Sequence, residues 1–380
     1  MSALTPFIAL LISVFALISG NALISVAVPI RANLDGFGAL TIGLIGSAYF
    51  VGMLGGTLKT PAIVRRVGHI RAFAAFVALA IVAVDILPIW EKPAAWFASR
   101  ALLGFVLAGI YAVIESWING KAHNRNRGGL YGVYQIVNFA AAALGQLMFR
   151  GFDAHSFAPF LVGASLMALG IVPLSMTSAD APELPRTVKL RISWLLTLSP
   201  ISVAAALVAG ATNGAAIALA PIYALQIGVE PSAVPLFTAA IVIGSALGVY
   251  PVGRLSDRID RRVIMAFVMT AGALVEIALA TSSPQGLWLA AAGFFVGLTT
   301  YTLYTLSVSL ANDRASPYDM VLVSAGLLFV YCVAAVITPP LASLAMRTFG
   351  AGALFAQNAV FHAGLAIFAI WGLIAAPKSR

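Results

Sequence analysis

The sequence has few charged residues and almost no cysteine. Only 9% of its 380 residues are Asp, Glu, Lys or Arg, against about 25% in ordinary soluble domains. Cys332 is the one cysteine, which excludes a disulfide framework and a thiolate metal cluster. With 61% hydrophobic residues and a mean hydropathy of +0.99, the chain has more apolar surface than a soluble fold of this length can bury. These features exclude a soluble enzyme, a secreted scaffold and a nucleic-acid-binding protein.

Long apolar runs fill the chain instead. Twelve segments reach the length of about 20 residues that a helix needs to cross a bilayer. They begin near positions 6, 39, 72, 93, 129, 156, 194, 232, 262, 286, 320 and 350. We therefore predict an all-α membrane protein with 12 transmembrane helices. The longest polar interruption lies mid-chain, so we expect a six-helix bundle at 1–177, a cytoplasmic linker at 178–193 and a second six-helix bundle at 194–380.

The distribution of lysine and arginine predicts the orientation. Loops on the side of the N-terminus hold 17 of the 22 basic residues, and loops on the other side hold 4. Because positive charge favours the cytoplasmic side, both termini are expected to be cytoplasmic. The same bias accounts for the net charge of +9 without a nucleic-acid partner. The first segment lacks a basic start and is too long for a signal peptide, so we keep it as a helix.

The two halves of the sequence match when one is shifted by 192 residues. The matched pairs are Asn21 with Asn213, Pro29 with Pro221, Gly52 with Gly244, Gly56 with Gly248, and Arg66 with Arg258. Two parallel repeats of six helices are typical of transporters that bind substrate between the halves near the midplane. The paired glycines predict close approach of neighbouring helices.

A charged loop follows the eighth apolar segment. Residues 253–262 read GRLSDRIDRR, which resembles the cytoplasmic loop signature of the major facilitator superfamily, G-x-L-x-D-R-x-G-R-R, with Asp260 in place of the second glycine. A carboxylate at a helix end accepts charge-assisted hydrogen bonds from arginines, so this loop can hold one conformation. The alternative is that its charges only set topology. The candidate latch residues are Gly253, Asp257, Arg258, Arg261 and Arg262, with Arg66 in the degenerate loop of the first half.

The resemblance extends over the whole chain. Residues 100–104 match the R-x-x-x-G of the superfamily's fourth helix, and residues 115–117, 124–130 and 144–147 resemble the YcaD-like branch. That branch is close to the CcoA-like group, whose members are associated with copper or riboflavin import. The resemblance implies a secondary transporter that works by alternating access in a bacterial inner membrane.

We expect proton-coupled uptake of a small neutral organic solute, with riboflavin as the first guess. The alternatives are Cu(I) import, efflux of amphiphilic compounds, and a membrane-embedded enzyme or sensor. The sequence lacks the P-loop, HExxH and GxSxG motifs, so we predict no enzyme activity, no catalytic residue and no cofactor. The expected partners are the solute, protons and the bilayer, and we expect a monomer.

Four ionisable residues lie inside predicted spans, where each costs about 2.5–3.5 kcal/mol on insertion scales. They are Asp85, Arg100, Glu115 and Glu276, and we predict that they couple transport to protons. Asp85 and Arg100 lie at similar depth on consecutive helices, so they are expected to form an ion pair, structural or coupling. An interfacial position for Glu115 and a protonated, purely structural Glu276 without a basic partner are the alternatives.

The resemblance implies that spans one, four, seven and ten line the cavity. Neutral polar and aromatic residues there, and in spans five and eleven, are the predicted substrate contacts. They are Asn21, Tyr111, Tyr134, Gln135, Asn138, Asn213, Thr300, Tyr301, Tyr304 and Tyr331. Alternatively, the span-ten hydroxyls bond back to their own helix. Met265 and Met269 could offer two soft ligands to Cu(I), but we interpret them as packing residues and predict no metal site.

Overall fold

The computed structural model describes residues 4–121, 127–176, 191–316 and 319–375, and the regular structure in these ranges is helical. The first six helices are α1 (Leu4–Leu34), α2 (Ala39–Val67), α3 (His69–Ile89), α4 (Pro93–Lys121), α5 (Arg127–Met148) and α6 (Ala158–Ser175). There follow α7 (Ile192–Leu198), α8 (Pro200–Gln226), α9 (Val234–Ser256), α10 (Arg261–Thr281), α11 (Gly286–Thr300), α12 (Thr302–Asn312), α13 (Met320–Phe349) and α14 (Ala353–Ile374). The described residues contain 12 spans that are long and apolar enough to cross a membrane, which confirms the predicted fold class.

Eleven of the twelve spans begin within three residues of the predicted positions, and the seventh differs. It was expected near position 194, but its helix α8 begins at Pro200. Residues Ile192–Leu198 form the separate short helix α7, which ends where Ser199 leaves the helical conformation. Proline suits the first turn of a new helix because its missing N–H needs no partner there. Apolar composition alone does not reveal this interruption.

The chain folds into two compact units. Unit 1 comprises Met1–Thr187 and Glu230–Pro235, and unit 2 comprises Val188–Val229 and Leu236–Arg380. Most of the predicted linker, at 178–190, lies outside the described residues. Each unit packs its long helices around one another, and their corresponding helices begin 191 to 195 residues apart.

Unit 1 contains a very close crossing between α2 and α4. A Cβ atom added at Gly52 would overlap the carbonyl oxygen of Ala101, and one added at Gly104 would overlap that of Tyr49. The two backbones are therefore in direct contact, which only glycine permits at these positions. The predicted packing role of Gly52 is confirmed, and so is that of Gly56, where a Cβ would overlap the carbonyl oxygen of Phe105.

Unit 2 repeats that crossing between α9 and α11. A Cβ at Gly244 would overlap the carbonyl oxygen of Phe294, and one at Gly297 would overlap that of Ile241. Gly52 and Gly244 are 192 residues apart, so the shift found in the sequence corresponds to an equivalent helix contact. The internal repeat is thus a property of the packing.

The end of α1 is fastened to two loops by one arginine. The Arg31 guanidinium donates to Asp35 (2.7 Å), to the carbonyl oxygen of His155 (2.6 Å) and to Glu91 (2.8 Å). It also lies 4.5 Å from the ring centroid of Phe157. Five planar donors let arginine bridge several acceptors at once, so this residue joins the end of α1 to the α3–α4 and α5–α6 connections.

At the equivalent position in unit 2, near the end of α8, the residue is the neutral Tyr223. Tyr223 lies 192 residues after Arg31, and its hydroxyl donates to the carbonyl oxygen of Leu279 over 2.8 Å. Its ring packs edge-on against Phe355 at 4.7 Å between centroids. The tyrosine therefore ties α8 to α10 and α14.

Candidate functional site

Arg100 is a buried cation in the α2–α4 crossing of unit 1. Only 4% of its surface is exposed, and its guanidinium carbon lies 4.7 Å from the centroid of the Tyr49 ring. Its Nε and Nη1 atoms have no hydrogen-bond partner. The face of an aromatic ring attracts a cation, most strongly away from water, so Tyr49 supplies the contact that the sequence assigned to a carboxylate.

The predicted Asp85–Arg100 ion pair is not formed. No ion pair within 4.0 Å joins Asp85 to a basic group among the described residues. Ser99 donates to the carbonyl oxygen of Ala83 over 2.5 Å, so Ser99 is the residue that faces α3. Because each residue turns the helix by about 100°, Arg100 points away from α3 towards α2. The matching depth did not ensure that the two side chains face one another.

Four predicted residues meet in a cluster in unit 1. Tyr111 on α4 lies near Tyr134 on α5 and Glu115 one turn further along α4. Asn138 donates its amide to the Tyr134 hydroxyl over 3.4 Å. The side chain of Glu115 is exposed within the unit, while Tyr134 is buried. This unit 1 cluster (Tyr111, Glu115, Tyr134 and Asn138) combines aromatic faces, an amide and one carboxylate.

Two other predicted contacts in unit 1 make no hydrogen bond to that cluster among the described residues. The side chain of Asn21 is half-buried and its Oδ1 atom has no hydrogen-bond partner. Gln135 is also half-buried.

A second cluster forms in unit 2. Tyr331 on α13 lies near Asn213 on α8 and near Tyr301 and Tyr304 of span ten. The rings of Tyr304 and Tyr331 pack edge to face, with centroids 5.4 Å apart and an angle of 67° between their planes. Asn213 is buried, and its Oδ1 atom has no partner. This unit 2 cluster (Asn213, Tyr301, Tyr304 and Tyr331) therefore presents phenol groups beside an unsatisfied amide oxygen.

Span ten is broken at Tyr301, where α11 ends and α12 begins. The Thr299 hydroxyl donates to the carbonyl oxygen of Phe295 over 2.8 Å, and the Thr302 hydroxyl donates to that of Thr299 over 2.9 Å. Such bonds back to the helix compete with its own ladder, which agrees with the alternative for these hydroxyls. Thr300 differs, because its hydroxyl is buried without a partner.

Glu276 has a basic partner that the sequence analysis did not find. Its Oε2 atom lies 2.7 Å from Nδ1 of His362, and both side chains are fully buried. The expectation of a glutamate without a basic partner is wrong. The two residues are 86 positions apart, on α10 and α14. The available signal was a histidine inside the last span, which sequence spacing did not connect to span nine.

Arg261 is the centre of the charged network at the α9–α10 loop. It donates to Asp313 over 2.6 Å, to Asp257 over 3.0 Å and to the Ser256 hydroxyl over 2.8 Å. Of these partners, the sequence analysis had identified only Asp257. The network lines a cleft of about 440 Å³ and joins the ends of α9, α10 and α12.

Asp260, where the superfamily signature has glycine, caps α10. Its Oδ1 atom accepts from the backbone N–H of Arg262 over 2.9 Å, and Oδ2 accepts from that guanidinium over 2.8 Å. The hydrogen bond from Arg262 lowers the pKa of Asp260 below its usual value. Arg262 also donates to the carbonyl oxygen of Gly372 over 2.8 Å. The departure from the signature thus forms a helix cap.

Two predicted latch residues, Arg66 and Arg258, are not part of this network. Their side chains are exposed, and no ion pair joins them to another described residue. Gly253 joins the network through its carbonyl oxygen, which accepts from the Ser256 hydroxyl over 2.7 Å. The latch residues that the structure brings together are therefore Gly253, Asp257, Arg261 and Arg262.

Met265 and Met269 are packing residues. Both are fully buried in an apolar cluster with Leu303, Leu306 and Leu365. In the part of the chain that the structure describes, no group of three or more His, Cys, Asp or Glu side chains could hold a metal ion.

Comparison with known proteins identifies the chain. The family model for the Major Facilitator Superfamily matches residues 201–380, and that for Sugar (and other) transporter matches residues 12–184. The two matches together span most of the chain and confirm its resemblance to the major facilitator superfamily. The chain is 28% identical over 361 residues to the uncharacterized MFS-type transporter YcaD of Escherichia coli O45:K1 (strain S88), covering 92% of this chain and 91% of YcaD.

Solved structures of transporters share the fold of this chain. The nucleoside transporter NupG superposes with a TM-score of 0.81 at 13% identity, covering 99% of this chain and 100% of NupG. A bacterial homologue of the lysosomal transporter Spinster gives 0.76 at 16% identity, covering 98% and 97%. With 12 apolar spans and bacterial relatives, the protein is an integral inner-membrane transporter.

Proposed function

We propose that this transporter takes up a small neutral organic solute together with protons, as a monomer whose termini are both cytoplasmic. The observation that carries the proposal is the pair of polar aromatic clusters, one in each unit. Their groups are phenols and amides, which recognise neutral donors and acceptors and stack on planar rings. A multiply charged substrate would call for several buried arginines or lysines, and Arg100 is the one arginine or lysine well inside a predicted span.

A flavin is the first solute to test, with a nucleoside second. Tyr304 and Tyr331 pack edge to face with their centroids 5.4 Å apart. Two aromatic rings in this arrangement can contact both the edge and the face of a planar solute. Buried oxygens without partners on Asn21 and Asn213 can accept from imide or hydroxyl donors. Riboflavin offers both a planar ring and hydroxyls. The NupG likeness, at the level of fold, is the reason to include a nucleoside.

Copper is disfavoured as a cargo by the position of the soft ligands. The sulfurs of Met265 and Met269 are enclosed among leucines, where they fill space as methionine commonly does in cores. Replacing both by leucine should therefore leave solute transport intact. Copper uptake that is present in wild type and lost in this double variant would reverse the ranking.

For coupling, the four intramembrane ionisable residues differ in environment. Arg100 and Glu276 are buried, Asp85 is half-buried, and Glu115 is exposed within its unit. A charge out of water is costly unless it is compensated, so a change in protonation at a buried group biases conformation most strongly. We assign the coupling role first to Glu276 and the role of a fixed buried cation to Arg100.

The charged network of unit 2 serves, in this proposal, as the conformational latch. Arg261 holds three partners from two helix ends, and such charge-assisted bonds are directional. Breaking them would free the ends of α9, α10 and α12 from one another. Arg66 and Arg258, which are exposed, would act on topology.

The test is solute uptake into vesicles that contain the purified transporter. An imposed inward proton gradient should drive accumulation of labelled riboflavin or, failing that, uridine. Tyr331→Ala should lower uptake by about tenfold, because loss of about 1.4 kcal/mol of stacking corresponds to that factor. The matched control is Tyr250→Ala, since Tyr250 is 70% exposed. Equal uptake by the two variants, or no accumulation of either solute, would contradict the proposal.

A further inference from the structure

The interface between α10 and α14 contains a polar cluster away from the two aromatic clusters. It consists of Glu276, Asn358 and His362, each fully buried, and is called the acid–imidazole cluster below. Glu276 Oε2 and His362 Nδ1 lie 2.7 Å apart. Asn358 precedes His362 by four residues, so both lie on the same face of α14.

Several polar atoms of the acid–imidazole cluster have no hydrogen-bond partner. They are Oε1 of Glu276, Nε2 of His362 and Oδ1 of Asn358, while the amide nitrogen of Asn358 faces the Glu276 carboxylate. Leaving a buried donor or acceptor unsatisfied lowers the stability of the folded protein. If the cluster served only to pack α10 against α14, it would stabilise the folded protein less than apolar side chains would.

Unit 1 makes the equivalent helix contact without polar groups. Helix α3 begins 192 residues before α10, and α6 begins 195 residues before α14. These shifts match Glu276 with Val84 and His362 with Met167, both of which are fully buried. Since the repeated fold assembles with valine and methionine, helix packing does not require the glutamate and histidine.

The surroundings of the acid–imidazole cluster are nearly free of other ionisable groups. On α11, Thr299 approaches it, since a Cβ at Gly272 would lie 3.0 Å from the threonine Oγ1 and 3.5 Å from His362 Nδ1. The ionisable groups on α12 and α8 are Tyr304 and Tyr223, and the Tyr223 hydroxyl is bound to the carbonyl oxygen of Leu279.

The basic residues of α10 itself are remote. Arg261 and Arg262 begin the helix, at least 14 residues before Glu276, which is about 21 Å along the axis. On α13, the buried thiol of Cys332 and the phenol of Tyr331 lie near each other and near Tyr301. Among the described residues, His362 is therefore the charge partner of Glu276.

We propose that the acid–imidazole cluster binds one exchangeable proton and is the coupling site of the transporter. With one proton, the pair is either imidazolium with carboxylate or imidazole with carboxylic acid, and both forms are neutral overall. Loss of that proton leaves a lone carboxylate in apolar surroundings, which is costly. Release therefore requires water to reach the pair. Coupling rests on the proposed function, whereas proton binding does not.

Infrared difference spectra test proton binding without any solute. The transporter in phosphatidylethanolamine–phosphatidylglycerol vesicles would be titrated with pH, and two bands followed: the carbonyl band of a protonated carboxylic acid and the ring band of a protonated imidazole, one of which the pair must show. Glu276→Gln should remove one such band that titrates in wild type, and His362→Gln should shift its titration. The matched control, Glu230→Gln, removes an exposed carboxylate and should leave the band unchanged.

Two outcomes of that experiment would overturn the site. One is a titrating band that is the same in wild type and Glu276→Gln, with His362→Gln serving if Glu276→Gln does not fold. The other is displacement of the band by Na⁺ at constant pH, which would make the occupant a metal cation.

Transport measurements distinguish a failure of the proton site from a failure of the proposed function. Glu276→Gln should lose at least about tenfold of riboflavin accumulation driven by a proton gradient, yet retain exchange of labelled for unlabelled riboflavin. Accumulation equal to wild type would refute the coupling role. If wild type moves neither riboflavin nor uridine, the proposed function fails while the infrared result still decides the proton site.

Discussion

The two units repeat one helix packing but bury charge at different places. In unit 1, Arg100 lies in the α2–α4 crossing, and the residue 193 positions later is Gly293, where a Cβ would meet the ring of Phe237. In unit 2, Glu276 and His362 lie between α10 and α14, where unit 1 has apolar residues. The shared glycine contacts assemble both units, so the charges are additions that packing does not need.

That difference points to function. Burying an ionisable group lowers stability unless partners compensate, and neither charged site is fully satisfied by hydrogen bonds. A duplicated bundle could have kept apolar residues at both places. In the function proposed above, Arg100 is the fixed buried cation of unit 1 and Glu276 the coupling group of unit 2, so the two units have different tasks.

The largest expected effect comes from breaking the glycine-mediated helix crossing that occurs within each unit. Gly52→Val should lower the free energy of unfolding by about 3 kcal/mol or prevent folding, because its Cβ would overlap the Ala101 carbonyl. The yield of monodisperse protein in detergent and the unfolding midpoint measure it. Gly55→Ala is the control, since its Cβ would lie 3.7 Å from the Phe105 side chain. Equal stability of the two variants would contradict the direct backbone contact.

The next comparison is between Arg31 and Tyr223, which fasten equivalent helix ends. Arg31→Met should cost about 3 kcal/mol, because it leaves the half-buried Asp35 without its cation. Tyr223→Phe removes one hydrogen bond and should cost about 1 kcal/mol. Denaturation in mixed micelles gives both values. A Tyr223→Phe cost equal to that of Arg31→Met would show that the network around Arg31 adds nothing.

A double-mutant cycle sharpens the assignment of Arg100 to Tyr49. Because Arg100 and Asp85 form no ion pair, the effects of Arg100→Met and Asp85→Asn on unfolding free energy should add within about 0.5 kcal/mol. Asp85→Asn alone should change stability by no more than about 0.5 kcal/mol. A coupling energy above about 1 kcal/mol would mean that the two side chains interact after all.

The smallest effect is expected at the cap of α10. Asp260→Asn should cost no more than about 1 kcal/mol, since the carboxylate is partly exposed. The lowered pKa of Asp260 means that its contribution is present above the unfolded-state pKa and is lost as pH falls through the folded-state value. Stability measured from neutral to acidic pH should show the two proteins converging in acid. A difference that grows in acid would have the wrong sign for this cap.

Much of the fold was predictable because apolar length is a local property. Eleven span starts followed from composition, and a repeat shift near 192 recurs in the glycine contacts of both units. The start at Pro200 was missed because an apolar sequence does not distinguish a continuous helix from two joined at a bend. The latch loop was recognised, but Asp313 was not, because it lies 52 residues from Arg261.

The candidate sites were harder to predict, because they depend on which way each helix faces. Tyr111, Tyr134 and Asn138 were identified by residue type and do meet. The Asp85–Arg100 prediction used depth alone, and a rotation of one residue directed the arginine to Tyr49 instead. His362 was seen only as a residue of the last span, so its contact with Glu276 was not anticipated.

Twelve membrane crossings in two related halves follow from the order of residues alone, because the length of each apolar segment and the internal repeat are properties of the sequence. Which buried charges meet was settled by packing in three dimensions. Helices of similar depth can turn any face towards a neighbour, and only their packing selects one. That selection placed Arg100 against an aromatic ring and Glu276 against an imidazole.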